Sequence, residues 1–238
     1  MRIGLASYEF RNQDIDFNFS QMEKALQEAQ GKVDLLCFGE AFLQGFDGLV
    51  WNYETDKNMA ITQDSTWMHR LCGLSLQYGT DLLFGYLERE GESLYSSCAV
   101  IEKGQLIHNY RRISKGWKCY WMTDSHYQEG STTQEFRYHG KNIQIALCGD
   151  LWEYPEQFKT EELLIWPVYC NFSLEEWKTT ELEYAQQARL ACPRTLLINS
   201  ITRGPVDSIA HGNAFYFHNG KVEQKQAYDT EGVLIVEI

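Results

Sequence analysis

The feature of this sequence that most constrains its fold is a series of short apolar segments, separated in turn by helical segments and by tight turns. The first unit reads strand, helix, strand: RIGLASY opens it, an amphipathic stretch follows, and KVDLLCFGEAF closes it. Ser20 with Glu23 matches a capping box and Gly31 matches a C-terminal stop, which predicts a helix between them. A second helix is predicted from about 65 to 78. This alternation predicts an α/β fold.

Hairpin signals interrupt the alternation. Turn pairs of the type that joins antiparallel strands occur at 103–104 (Lys-Gly), at 140–141 (Gly-Lys) and at 219–220 (Asn-Gly). Hairpins give antiparallel strands and strand-helix-strand units give parallel ones, so the sheets are predicted to be mixed. With so many apolar strands in 238 residues, we expect two mixed sheets packed face to face with helices outside, a four-layer α-β-β-α sandwich.

The whole chain, residues 1–238, is expected to form a single domain. Its apolar fraction of 44% is sufficient for a large core, and it lacks Ser/Gly-rich tracts, charge blocks and repeats of fixed period. The start, MRIGLASYEF, lacks the basic flank of a signal peptide, and no stretch approaches the ~18 apolar residues of a membrane span. A cytoplasmic protein without a membrane partner is therefore expected.

Charge and cysteine content narrow the range of partners. The formal net charge of −12 argues against nucleic acid or an anionic membrane as the main partner. The seven cysteines are an odd number without the short spacing of metal ligands, which favours reduced thiols and disfavours a zinc site. The net charge says little about a small substrate, because the charge of a pocket can differ in sign from that of the surface.

Three apolar strands end in residues that can do chemistry. Glu40 ends DLLCFGE, a basic cluster ends LIHNYRRISKGWK, and Cys148 ends IQIALC. Together a carboxylate, a cation and a thiol provide a base, a group to hold an oxyanion and a nucleophile, which are the parts needed for acyl transfer. Apolar neighbours around Glu40 favour a buried carboxylate, which is a competent base near neutral pH.

These segments resemble the carbon-nitrogen hydrolase, or nitrilase, superfamily over nearly the full chain. DLLCFGEAFLQGF is similar to the family's segment with its catalytic Glu, matching Glu40, and IALCGDLWEYPE is similar to the segment with its catalytic Cys, matching Cys148. YRRISKGWK lies where the family carries its Lys, and HYQEG resembles the turn before the Cys strand. The resemblance implies the sandwich fold and a Glu-Lys-Cys triad.

The lysine position departs from the family pattern. The family usually places its Lys directly after Tyr-Arg, where this chain has Arg112. Since arginine is bulkier at a compact oxyanion site, we expect a downstream lysine to enter the site, with Lys118 preferred over Lys115. Arg112 is then a substrate or ion-pair partner. Asp124 is in the region where many members place a carboxylate that orients the Lys.

The resemblance implies hydrolysis of a small linear amide or N-carbamoyl compound through a Cys148 thioester, without metal or organic cofactor. Gly149 would supply an oxyanion N–H, and Trp152 and Asn171 are expected to line the substrate site. An amide is favoured over a nitrile because Cys-Gly-Asp differs from the Cys-Trp-Glu of true nitrilases. Family members commonly pair, so a homodimer or higher oligomer is expected, with the helix around 177–189 as a candidate face.

Other hypotheses remain open from the sequence. Cys148 could be a buried packing residue, as free cysteines often are. A Cys-His hydrolase on another fold, using His126 or His139, predicts that Glu40→Gln is tolerated. A non-catalytic family member that serves as a binding or scaffold protein predicts a Cys148 thiol no more reactive than the other six.

Overall fold

The computed structural model describes residues 1–204 and 209–238. Its strands, β1 to β14 in chain order, are Arg2–Ser7, Leu35–Cys37, Asp81–Glu90, Ser93–Glu102, Gln105–Arg111, Phe136–Tyr138, Lys141–Ile145, Leu163–Val168, Arg194–Asn199, Ile201–Thr202, Ala210–His211, Ala214–His218, Lys221–Lys225 and Gly232–Glu237. The α-helices, α1 to α5, are Ile15–Ala29, Tyr53–Asp56, Thr66–Tyr78, Asp150–Glu153 and Leu174–Ala191, and a 3₁₀ helix covers Pro155–Phe158.

Twelve of the described strands form two six-stranded mixed sheets, and β10 pairs with β11 in a separate two-stranded sheet. The first has the order β14-β1-β2-β3-β4-β5 and the second β13-β12-β9-β8-β7-β6. In the first, β1, β2 and β3 are parallel neighbours, and antiparallel strands flank them; in the second, β7, β8 and β9 form the parallel centre. The predicted mixed sheets are therefore confirmed.

Helices cover the outer faces of the two sheets. An apolar cluster joins α1 and α3 to one face of the first sheet, through residues such as Met22 and Leu71. A second cluster combines strands of both sheets, including Leu5 and Ile165, with α5 residues such as Trp177. Burial of these side chains removes apolar area from water and so stabilises the packing. The order of layers is helix, sheet, sheet, helix, as predicted.

Two local predictions needed correction. The first helix begins at Ile15, because the Asp14 side chain accepts the hydrogen bond of the Phe17 N–H and caps the helix there. Ser20 therefore lies inside the helix, and its hydroxyl donates to the Phe17 carbonyl at 2.6 Å. The hairpin turn predicted at 140–141 lies one residue earlier, because β7 already begins at Lys141.

The β4–β5 hairpin turns at Lys103-Gly104 as predicted, and contains a bulge. Val100 pairs with His108 while Ile101 pairs with Leu106, which leaves Ile107 as an extra residue in β5. The second predicted helix is also confirmed as α3, with Ser65 as its N-cap. Within the described residues no helix has the length and hydropathy of a membrane span.

Candidate active site

The last residues of β8 hold together the two loops that carry Glu40 and Cys148. The N–H of Glu40 donates to the Val168 carbonyl at 3.3 Å, and the N–H of Cys148 donates to the Pro167 carbonyl at 3.0 Å. Glu40 follows β2 in the first sheet and Cys148 follows β7 in the second. The two side chains predicted to react are thus brought to the same edge, where the two sheets meet.

Cys148 lies at a strained corner between β7 and α4. Its φ of +41° is in the left-handed region, which is uncommon for a residue with a side chain. The corner is held by the bond to Pro167 and by Trp166, whose indole Nε1 donates to the Cys148 carbonyl at 2.9 Å. Fixing the backbone in this way presents the half-buried thiol in one direction, a property that a nucleophile requires.

The Glu40 carboxylate is fully buried, and one of its two oxygens lacks a partner. Oε1 accepts from Ser96 Oγ at 3.1 Å and from Arg112 Nη1 at 2.9 Å. Oε2 is buried without a hydrogen bond among the described residues. Gly85 on β3 makes room for this loop, since a Cβ there would lie 2.7 Å from Glu40 Cα. A buried, unpaired carboxylate oxygen is costly, so its presence calls for a function.

Arg112 is the cation that contacts Glu40. It is 3% exposed, and besides Glu40 it donates from Nε to Ser114 Oγ and from Nη2 to the Lys115 carbonyl, both at 2.8 Å. Burial opposes its charge, but the acidic groups of Glu40, Cys148 and Asp150 outweigh that effect and raise the pKa of the guanidinium. Arg112 is therefore a permanent, fixed cation close to both the base and the thiol.

A second Ser-Glu-Arg set lies on the opposite face of the same strands. Here Glu88 binds Ser97 and Arg111, because successive residues of β4 and β5 point to opposite faces. Both Glu88 oxygens have partners: Oε2 accepts from Ser97, Asn109 and Arg111, and Oε1 from Arg111 and Gln63. The contrast with Glu40 shows that an unpaired oxygen is not a general consequence of burying a carboxylate in this protein.

Asp150, directly after the Cys-Gly pair, ties the Cys148 corner to the loop after β5. Its Oδ2 accepts from the Leu147 N–H at 2.8 Å and from Tyr110 Oη at 2.6 Å. Its Oδ1 accepts from the N–H groups of Ile113 and Ser114. Burial raises the pKa of the Asp150 carboxyl, although Arg112 and these hydrogen bonds partly offset that effect. Asp150 therefore positions both Cys148 and the segment that follows Arg112.

The structure does not bring Lys118 to Glu40 or Cys148. Its ammonium binds the Tyr127 carbonyl and the Glu129 carboxylate, and no hydrogen bond or ion pair joins it to the Glu40–Cys148 edge in the described part of the chain. Arg112 instead forms an ion pair with Glu40. Gly149 leaves the space for its guanidinium, since a Cβ there would lie 2.5 Å from Nη2. The role of Lys118 stays a prediction.

The other charged candidates near the site have different contacts. The Lys115 ammonium lies 5.6 Å from the centroid of the Tyr120 ring, and its carbonyl, not its side chain, contacts Arg112. Asp124 is exposed and accepts from His126 Nδ1 at 2.8 Å. It does not contact Lys118, whose carboxylate partner is Glu129. None of these side chains completes the arrangement around Glu40.

The three residues expected at the substrate site differ in exposure and contacts. Gly149 precedes α4, and its N–H makes no hydrogen bond in the ranges 1–204 and 209–238, so it is available to an oxyanion. The Trp152 side chain is 43% exposed and packs edge-on against Tyr184. Asn171 is exposed and follows β8. Their roles in binding stay predictions.

Gly149→Ala is expected to slow alkylation of Cys148 by iodoacetamide about tenfold. A Cβ at Gly149 would lie 2.5 Å from Arg112 Nη2, so the guanidinium must move away and stabilise a thiolate less. The backbone at Gly149, with φ −62°, accepts alanine, so the effect is steric. Rates are measured by peptide mass spectrometry, with Gly73→Ala in α3 as control because its Cβ would meet nothing within 4 Å. Equal rates in both variants would contradict the close packing of Arg112 against Gly149.

A possible metal-ligand group is found at the other end of the sheets. Asp81, Glu102 and His139 have ligand atoms within 4.8 Å of one another. Asp81 begins β3 and His139 precedes β7. Glu40, in contrast, follows the end of β2, which is parallel to β3, and Cys148 follows the end of β7. Asp81 already accepts from the Lys103 N–H and Tyr138 Oη. This group is separate from the thiol site, and the absence of a metal cofactor stays a prediction.

Sequence reasoning missed Ser96 and Ser114, which support Glu40 and Arg112. No local signal distinguishes them from other strand and loop serines. Asp150 did have a signal, since it directly follows Cys-Gly at the end of an apolar strand. These residues support a half-buried thiol on Cys148, a buried carboxylate on Glu40 and a buried guanidinium on Arg112. These three groups are chemically suited to forming and hydrolysing an acyl-sulfur bond.

Known proteins resemble this chain in sequence. The family model described as carbon-nitrogen hydrolase matches residues 2–238. An arylacetonitrilase from Aspergillus niger is 24% identical over 122 residues, which are 48% of this chain and 36% of that protein. The chain thus matches well under half the length of that relative.

Solved structures share the fold over the whole chain. A superfamily protein from Xanthomonas campestris, described with an arsenic adduct in its active site, has a TM-score of 0.81 at 17% identity and covers 99% of this chain and 89% of its own. An amidase from Nesterenkonia sp. has a TM-score of 0.75 at 17% identity, with coverage of 100% and 90%. At these identities the similarity establishes the fold.

Proposed function

Because this chain belongs to the carbon-nitrogen hydrolase family, we propose that it hydrolyses a carbon-nitrogen bond, other than a peptide bond, of a small linear amide or N-carbamoyl compound. Cys148 is the nucleophile, Glu40 the general base and Arg112 the cation, in place of the lysine expected from the sequence. The observation that carries this proposal is the Oε2 atom of Glu40, which is buried without a partner beside a fixed guanidinium.

The proposed reaction uses each group in turn. Glu40 Oε2 takes the thiol proton, and the Cys148 sulfur attacks the amide carbon. Arg112 uses three of its five N–H groups on Glu40, Ser114 and Lys115. One N–H on each of Nη1 and Nη2 therefore remains for the oxyanion, together with the Gly149 N–H.

Glu40 then returns its proton to the leaving nitrogen, and ammonia or an amine departs. Water, deprotonated by the same carboxylate, attacks the thioester carbon. The C–S bond breaks, the acid is released, and Glu40 gives the proton to the departing Cys148 sulfur. Because Arg112 is a permanent cation, it stabilises charge throughout and takes no part in proton transfer. The roles of acid and base therefore both fall to Glu40.

The test is single-turnover mass spectrometry against a panel of small amides, N-carbamoyl compounds and nitriles. We expect an acyl adduct on the tryptic peptide 142–159, which contains Cys148, and no adduct in Cys148→Ala. The adduct's mass identifies the acyl group, and turnover of nitriles but not amides would reassign the substrate class. An adduct that persists in Cys148→Ala would refute the assignment of the nucleophile.

A specific observation favours a second candidate, a non-catalytic binding or scaffold protein. Arg112 stands where the family usually has lysine, and its ion pair could hold Glu40 as a structural group. In that case Cys148 would react with iodoacetamide no faster than the other six cysteines, and no panel compound would form an adduct. Selective alkylation of Cys148 would exclude this candidate.

A further inference from the structure

Beside Cys148 lies a second thiol, Cys170, that the proposed reaction does not use. The Cys148 sulfur is 3.9 Å from the carbonyl oxygen of Tyr169, the residue that precedes Cys170. The Cys148 side chain is also the largest influence on the pKa of the Cys170 thiol. Cys148 also packs against the apolar cluster to which Cys170 belongs. The two sulfurs are therefore neighbours in the folded protein.

The two thiols differ in their access to solvent. Cys148 is half-buried, whereas Cys170 is 6% exposed and has Tyr184 Oη 3.1 Å from its sulfur. The interaction with Cys148, followed by burial, raises the pKa of the Cys170 thiol well above its ordinary value. A small oxidant from solvent therefore meets Cys148 first, and Cys170 stays a thiol behind it.

We propose that Cys148 and Cys170 form a reversible disulfide when Cys148 reacts with hydrogen peroxide. The Cys148 thiolate attacks a peroxide oxygen, so that an S–O bond forms, the O–O bond breaks and the departing hydroxide takes a proton to become water. The Cys170 sulfur then attacks the Cys148 sulfur, so that the S–S bond forms and the S–O bond breaks. The second hydroxide leaves as water with the Cys170 proton, and both sulfurs are oxidised while the peroxide is reduced.

The disulfide would protect the nucleophile at the cost of activity. Without a neighbouring thiol, a sulfenic acid is oxidised further to sulfinic acid, which simple thiols do not reduce. A dithiol, in contrast, reduces a disulfide back to its two thiols. This inference rests on the proposed function for the reactivity of Cys148. It adds a modification that turns the same site off and preserves it.

Non-reducing peptide mapping tests the inference without an activity assay. Trypsin cleaves after Lys159 and separates peptide 142–159, with Cys148, from peptide 160–178, with Cys170. After hydrogen peroxide treatment we expect the two peptides joined, with the loss of two hydrogen atoms, and dithiothreitol should restore alkylation of Cys148. In Cys170→Ala and Cys170→Ser we expect Cys148 sulfinic acid, which dithiothreitol does not reverse.

Cys37 and Cys98 provide an internal control. They are also close enough to interact electrostatically, but both are fully buried, and their peptides, 33–57 and 90–103, should stay unlinked. Cys148 sulfinic acid in the wild type without the linked peptides would overturn the inference, and so would a Cys148 that resists peroxide. The proposed function is judged separately, by the acyl adduct on Cys148, so either proposal can fail alone.

Discussion

Replacing Glu40 by glutamine is expected to lower turnover by about 10⁴-fold, the upper end of the range for general acid-base catalysis, with the protein still folded. Glutamine keeps the shape and an oxygen that can accept from Ser96 and Arg112, as Oε1 does now. It removes the basicity of the unpaired Oε2, which the proposed reaction uses both to form and to hydrolyse the thioester. The measurement is kcat/KM on the substrate that the adduct experiment identifies.

Glu88→Gln is the matched control for Glu40→Gln. Glu88 is 1% exposed and paired with the adjacent arginine, Arg111, on the other face of the strands. Its replacement also removes a buried carboxylate from an ion pair, but leaves the thiol site intact, so turnover should stay within about threefold of wild type. If Glu40→Gln is as active as Glu88→Gln, the base is elsewhere and the Cys-His hypothesis gains support.

Arg112→Met is expected to abolish detectable adduct formation and to lower the free energy of unfolding by about 3–5 kcal/mol. Methionine fills part of the space of the stem but leaves the Glu40 carboxylate buried without its cation. For a chain of this length that loss corresponds to about 6–20 °C in Tm. Thermal unfolding and the adduct assay measure the two effects separately.

Two further variants make the Arg112 result decisive. Arg112→Met combined with Glu40→Gln should recover part of the lost stability, since no unpaired charge remains, but no activity. Lys118→Met removes the ion pair with Glu129, and turnover should fall by less than about tenfold, because that pair is expected to be worth about 1 kcal/mol. Loss of the adduct in Lys118→Met, with Arg112→Met active, would restore the lysine to the triad.

The sequence allowed the strand ends to be predicted better than the directions of their side chains. Glu40 and Cys148 were identified because each terminates a nearly continuous apolar run, a local pattern. Arginine at 112 is visible in the sequence, but its size argues against a place in a compact oxyanion site. The space for it comes from Gly149, a residue of the other sheet. Steric compatibility between residues so distant in sequence depends on the tertiary structure.

The predicted start of the first helix was wrong for a different reason. Ser20 and Glu23 form a valid capping pattern, but Asp14 offers a competing cap six residues earlier, and the amphipathic face continues upstream through Phe19. Local patterns propose several helix starts, and burial of the longer apolar face selects among them. At the start of α5, Ser173 and Glu176 do form a capping box.

The extra residue at Ile107 has a consequence for how this site can diverge. Beyond the bulge the pairing resumes with Val100 opposite His108 and Ser97 opposite Arg111, so the extra residue does not change which side each arginine faces. Loss of Ile107 would restore a regular ladder and would leave Arg112 at Glu40 and Arg111 at Glu88. The length of this hairpin can therefore differ by one residue at the bulge without exchanging the two arginines around the thiol.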